Sequence, residues 1–224
     1  MHYEPDKYLW TDADFEKMGW HDNKVHQINL ATDLELDIDY IFKWNEPDVE
    51  GLPFTFWISP ATLVFKDVKK LRFNFFFLYD DFEIEDIECE EDDDGTYRWT
   101  IITLQGSMEF NATSYEQFIR QPPFFTFGQV LSYPERNGST LERTTSQLNP
   151  VRNREDIVQK REKELTDYET AKKRHLKRKE LESITEARER SELDTKTFLL
   201  KKKEIKDQLY SYDFFLKDTI FENW

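Results

Sequence analysis

Between Leu34 and Trp44 the chain alternates. Leu34, Leu36, Ile38, Tyr40, Phe42 and Trp44 occupy one parity, and Glu35, Asp37, Asp39, Ile41 and Lys43 occupy the other. Successive side chains of a strand point to opposite faces, so this period of two fits a strand with an apolar face and an acidic face, not a helix. The same signal, shorter each time, recurs at Lys24–Asn29, Phe54–Ile58, Thr62–Phe65, Leu71–Leu78, Phe82–Cys89, Tyr97–Leu104 and Ser107–Asn111. Asn45-Glu-Pro-Asp48 and Asp92-Asp-Asp-Gly95 supply turns between them. So many short strands with little helix between them predict an antiparallel β-sandwich or a curved sheet. Aromatic residues make up 16% of the chain, enough apolar area for a true core. Ser114–Arg120, with Ser114 as N-cap and Pro122-Pro123 beyond it, is expected to form a short helix.

The period changes abruptly near residue 150. Residues 137–151 hold Gly138, several Ser and Thr, and Pro150, the composition of a linker. From Asn153 to Thr197 the chain is rich in Lys, Arg and Glu and has neither Pro nor Gly. Asp156–Lys160, Glu169–Lys173, Glu186–Arg190 and Glu192–Lys196 stand four apart in the order that supports a helix. Unbroken, it would be about 65 Å long. Its apolar positions keep no clean heptad, so a bent hairpin is as compatible as a coiled coil. In residues 198–224, Ile205, Leu209, Tyr212, Leu216, Ile220 and Trp224 form an apolar stripe that must bury itself, and are candidates for self-association. The fold expected is therefore α+β: an acidic β-rich domain over residues 1–136, a linker over 137–151, and a helical extension over 152–224.

Charge is segregated in the same way. The net charge is −15, yet residues 1–150 carry 29 acids against 12 bases while residues 151–224 carry 17 against 19. Asp80 to Asp94 alone holds eleven acids and no base. Asp80, Asp81, Glu83, Glu85, Glu91, Asp92, Asp93 and Asp94 are the candidate contacts for a basic protein partner, because such a field steers opposite charge. Part of this run also suits an edge strand, where acids discourage aggregation. The block Lys172–Lys179 has the composition of a polyanion patch, but the overall charge opposes nucleic-acid binding.

No phosphate-binding glycine loop, nucleophile elbow or paired-histidine zinc motif occurs, and Cys89 is the single cysteine. His21 and Asp22, with His26, Asp37 and Asp39, are the one gathering of catalytic residue types. A hard-metal or His–carboxylate site is the functional reading there, and a hydrogen-bonding pair at a strand start is the structural one. The structural reading is preferred, so no enzyme activity, metal or cofactor is expected. Without a leader-like start or a long apolar run the chain is expected to be cytoplasmic and to touch no membrane.

The segment Tyr8–Asp22, ending in Trp20-His21-Asp22, followed by Leu36–Trp44, resembles a family of small uncharacterised bacterial proteins. More loosely it resembles the immunity-type β domains of polymorphic toxin systems. The resemblance covers residues 8–136 and implies a non-enzymatic protein that binds and blocks a partner. The helical extension departs from a single-domain immunity protein. A structural subunit of a larger assembly, such as a bacterial defence complex, is the alternative.

Overall fold

The structure is a computed structural model that describes residues 3–76, 82–91 and 96–224. It divides into two units, and the division does not follow the sequence order. One unit comprises residues up to Asn45 and from Phe54 to Arg154; the other joins Glu46–Pro53 to Glu155–Trp224.

The first unit is an antiparallel sheet. Its strands are β1 (Leu9–Thr11), β2 (Asn23–Leu30), β3 (Leu34–Asn45), β4 (Thr55–Phe65) and β5 (Lys69–Phe75). Then follow β6 (Glu83–Glu91), β7 (Tyr97–Thr103), β8 (Gly106–Ala112), β9 (Tyr115–Ile119) and β10 (Phe124–Thr126). Across the sheet the order is β1-β9-β4-β3-β2-β6-β7-β8-β5, with β10 beside β4. Strand β2 belongs to both halves: Val25–Leu30 pair with β3, while Asn23 and Lys24 pair with Ile84 and Glu83 of β6. About this shared strand the two halves face each other. Phe65 of β4 meets Trp99 of β7 at 5.1 Å and Phe110 of β8 at 4.9 Å, and Tyr115 of β9 meets Trp99 at 5.5 Å. These rings, with Leu34, Leu36 and Ile38, form the core.

Two expectations need correction. Phe54–Ile58 and Thr62–Phe65 are one strand, β4, buried along its whole length. Pro60 is tolerated inside it because β10 pairs residues 56–58 and β9 pairs 61–65, leaving a gap at 60. The Pro60 carbonyl accepts from Arg120 N on that side, so the missing N–H would have pointed into the same gap. Ser114–Arg120 is not a helix but contains β9, in which Tyr115, Gln117 and Ile119 are fully buried between half-buried Glu116 and Phe118. That is a period of two, and pairing with both β1 and β4 overrides a seven-residue helical preference. The acidic strand is an edge in part, as expected: β2 pairs it only at Ile84 and Glu83, and from Asp86 to Glu91 it pairs β7 alone. The terminal strand β5 carries Lys69, Lys70, Arg72 and a bulge, which blunt it.

Residues 137–151 are not a free linker either. Helix α1 (Tyr133–Arg136) has Ser132 and Glu135 as a capping box and ends on Asn137 in the left-handed region. The chain beyond it runs along β3, held by the ion pairs described below.

In the second unit, α2 (Glu155–Glu189) and α3 (Thr195–Leu216) form a helical hairpin, so the charged helix stops eight residues short of Thr197. The connection uses Ser191 at φ 60° and Asp194, whose side chain accepts from Thr197 N at 3.0 Å. The stripe of α3 is spent inside this unit: Ile205 and Leu216 are buried and Leu209 and Tyr212 half-buried, while Ile220 is exposed. Trp224 is half-buried against Phe221 at 4.6 Å and Tyr168 at 5.9 Å.

Candidate functional site

The acids of β3 are the first place to look, and they are closed. Asp37 and Asp39 are wholly buried. One Asp37 oxygen accepts from Arg120 at 2.5 Å and from Arg136; the other accepts from Ser139 Oγ at 2.7 Å and Thr140 N at 3.2 Å. One Asp39 oxygen accepts from Arg136; the other accepts from Leu131 N at 2.9 Å and stands 3.0 Å from His26 Nε2. Further along the strand, Arg143 bridges Asp33 at 2.6 Å and Glu35 at 2.8 Å. Burial alone would push the Asp37 carboxyl up, but the Arg120 and Arg136 guanidiniums together hold it below the ordinary carboxylate range. Every carboxylate oxygen of Asp37 and Asp39 is committed to a partner inside the chain, and both groups are shut off from solvent.

His21 and Asp22 are elsewhere. The His21 ring stacks on Trp44 and puts Nδ1 3.2 Å from the Glu85 carbonyl and 3.5 Å from Asp22. Asp22 adopts φ 60° and accepts from Gln129 Nε2 at 2.7 Å. These contacts fasten the turn that enters β2. His26 lies at the β2 bulge against Asp39, so the imagined cluster is two separate arrangements. Among the described residues no three His, Cys, Asp or Glu side chains converge as metal ligands.

The acids of β6 are open. Asp80, Asp81, Asp92, Asp93 and Asp94 lie outside the described residues. Within β6 a bulge between Ile84 and Asp86 shifts the parity, so that Ile84 and Ile87 both reach the core. Glu85 and Asp86 are consequently exposed, and Glu88 and Glu90 share the outer face with Thr100 and Arg98 of β7 and Glu109 of β8. Glu88, Glu90, Arg98, Thr100 and Glu109 line a depression of about 210 Å³. Arg98 pairs with Glu90, and Arg72 of β5 stands opposite Glu109 in register. Glu88 and Glu109 have no ion-pair partner among the described residues. Glu83 sits opposite Lys24 at the strand start, and Glu91 turns toward a different cavity. The sequence pattern singled out Glu83, Glu85 and Glu91 and passed over Asp86, Glu88, Glu90 and Glu109. Inverting the parity at the two isoleucines, three apart, would have found the β6 acids; Glu109 lies two strands away on β8.

Glu91 lines that cavity, of about 250 Å³, with Asp12, Phe15, Glu16, Cys89, Tyr97 and Trp99. Burial pushes the Cys89 thiol up to about 11, helped by Asp12 and Glu90, so it is held as the unreactive thiol.

In the helical unit the basic block is consumed internally. Lys172 pairs with Asp48, and His175 Nε2 and Lys179 Nζ reach the Glu50 carbonyl at 3.0 and 2.7 Å. Arg174, buried, binds Asp213 at 3.0 Å and the carbonyls of Phe221 and Trp224 at 2.7 and 2.9 Å. The block thus clamps the 46–53 loop and the C-terminal turn onto α2.

No protein-family model, curated protein or solved structure matches this chain.

Proposed function

We propose that this chain is a non-enzymatic binding module that takes a basic protein surface on the outer face of β6, β7 and β8. It would act as an inhibitor of the immunity kind. The observation that supports this reading is the contrast between two sets of acids. Those of β3 are neutralised by the chain's own arginines, whereas Glu88 and Glu109 stand exposed with no ion-pair partner among the described residues. Unpaired like charge on a surface costs some stability through self-repulsion, and a basic partner relieves it while gaining a faster encounter. A metal-dependent hydrolase on His21 and Asp22 is disfavoured, because both side chains serve the turn and point to no shared ligand.

The test is to isolate the bound protein by pull-down and measure its association rate against salt. The rate should fall by about tenfold or more between low salt and about 0.5 M, where the screening length drops to a few ångströms. The Glu88→Lys/Glu90→Lys variant should show a similar loss in low salt. A salt-independent rate, or one untouched by that variant, would remove the acidic face from the account.

A further inference from the structure

Helix α3 has two apolar sides, and only one is used. Opposite the buried Ile205 and Leu216 lie Leu199, Leu200, Tyr210 and Phe214, exposed at 57, 63, 77 and 76%. Positions 199, 203, 206, 210 and 214 follow one another at three- and four-residue steps, so they share a helix face. Lys203 and Lys206, both exposed, lie on it and have no ion-pair partner among the described residues. Asp207 is the acid that shares that side, since Asp213 is tied to Arg174. Contiguous exposed aromatics of this kind mark contact surfaces. Their lysines specify an acidic one.

We propose that a second copy of this chain is the partner: the exposed α3 face of one molecule seats on the outer β6–β7–β8 face of the next. The argument is charge complementarity, with the flexible lysine stems spanning the difference in spacing. Lys203 and Lys206 stand one helical turn apart, about 5 Å along the axis. Glu88 and Glu109 flank Thr100 on adjacent strands, about 10 Å apart across the sheet. Tyr210 and Phe214 supply apolar area that the carboxylate face does not have to match in charge. The inference rests on the reading of that sheet face as a binding surface and names its occupant. Each molecule carries both faces, so two copies either exchange them reciprocally in a closed dimer or pass them on head to tail into rings or open chains. One helix face against three strands is a small interface, so the association is weak and salt-sensitive.

Sedimentation velocity on the full chain tests this. The mean mass should rise with concentration in low salt, to at least twice that of the monomer, and return to the monomer near 0.5 M salt, where exposed charges are largely screened. Glu88→Lys/Glu90→Lys and Tyr210→Ala/Phe214→Ala should each stay monomeric. Both alter exposed side chains, so their melting temperatures should match the parent. An equimolar mixture of the two variants should form dimers and nothing larger, because each retains one intact face. A parent chain that stays monomeric at every concentration would overturn the inference. So would self-association that survives either variant. Binding of a monomeric chain to anionic lipid vesicles through Tyr210 and Phe214 would give that helix face to a membrane instead. None of these results touches the proposed function, which fails if the isolated partner associates independently of salt or of Glu88 and Glu90.

Discussion

Strands β3 and β6 carry the same kind of sequence, acids alternating with apolar residues, and the molecule uses them in opposite ways. On β3 and in the turn just before it, Asp33, Glu35, Asp37 and Asp39 receive Arg120, Arg136 and Arg143 from segments 83 to 110 residues downstream. On β6, Asp86, Glu88 and Glu90 face outward with Arg98 as the nearest cation in the paired strand. The acids do not decide this; the arrival of arginines does. A buried carboxylate is tolerable only where donors replace its lost water, and the chain after β9 delivers them. Acidic residues are therefore fastening points in one half of the sheet and free surface in the other.

The largest effect that would break this contrast comes from removing one fastening. Arg136→Ala leaves Asp37 short of one guanidinium and Asp39 without any, both in a fully buried place. It should cost about 3–5 kcal/mol, the usual price of stranding a buried charge, as read from urea unfolding. A loss below about 1 kcal/mol would mean that the network is ornamental. A smaller effect comes from pH. The Asp37 carboxyl lies lower in the folded than in the unfolded chain, so its stabilising contribution is complete above the unfolded value near 4. It is lost as pH falls through the lower folded value. Burial raises, but Arg143 with its hydrogen-bonding neighbours lowers, the Asp33 and Glu35 carboxyls too, and they add to the same acid loss. Melting temperatures should decline below about pH 4, and Asp37→Asn should flatten part of that decline. An unchanged slope would place the acid sensitivity elsewhere.

How far the sequence disclosed this can be traced through particular residues. The β3 alternation was legible because its apolar parity from Leu34 to Tyr40 is committed to the core, before a bulge between Ile41 and Lys43 leaves Trp44 exposed. Strand β4 was not legible as one element, because a strand covered on both faces loses its alternation and Pro60 looks like a break. The run from Ser139 to Arg143 has a linker's composition, yet its hydroxyl and guanidinium groups are the donors that Asp33, Glu35 and Asp37 require. Nothing local announces such a long-range pairing. On β6 the bulge hid the exposed acidic face, since one inserted residue reverses every assignment after it. The α3 stripe was legible as something to be buried, but α2 of the same chain takes most of it. The second apolar side, Leu199 to Phe214, went unnoticed beside the stronger first.

The central claim is that acids of equal charge have unequal work, and one urea-unfolding comparison tests it most directly. Tryptophan fluorescence suits it, because Trp10, Trp20, Trp44, Trp57 and Trp99 all lie in the sheet unit and Trp224 alone in the helical one. Asp37→Asn should lose about 3 kcal/mol, while the triple variant Glu88→Gln/Glu90→Gln/Glu109→Gln should stay within about 0.5 kcal/mol of the parent or gain slightly. Equal losses, or a neutral Asp37→Asn, would contradict the division of the sheet into a fastened acidic face and a free one.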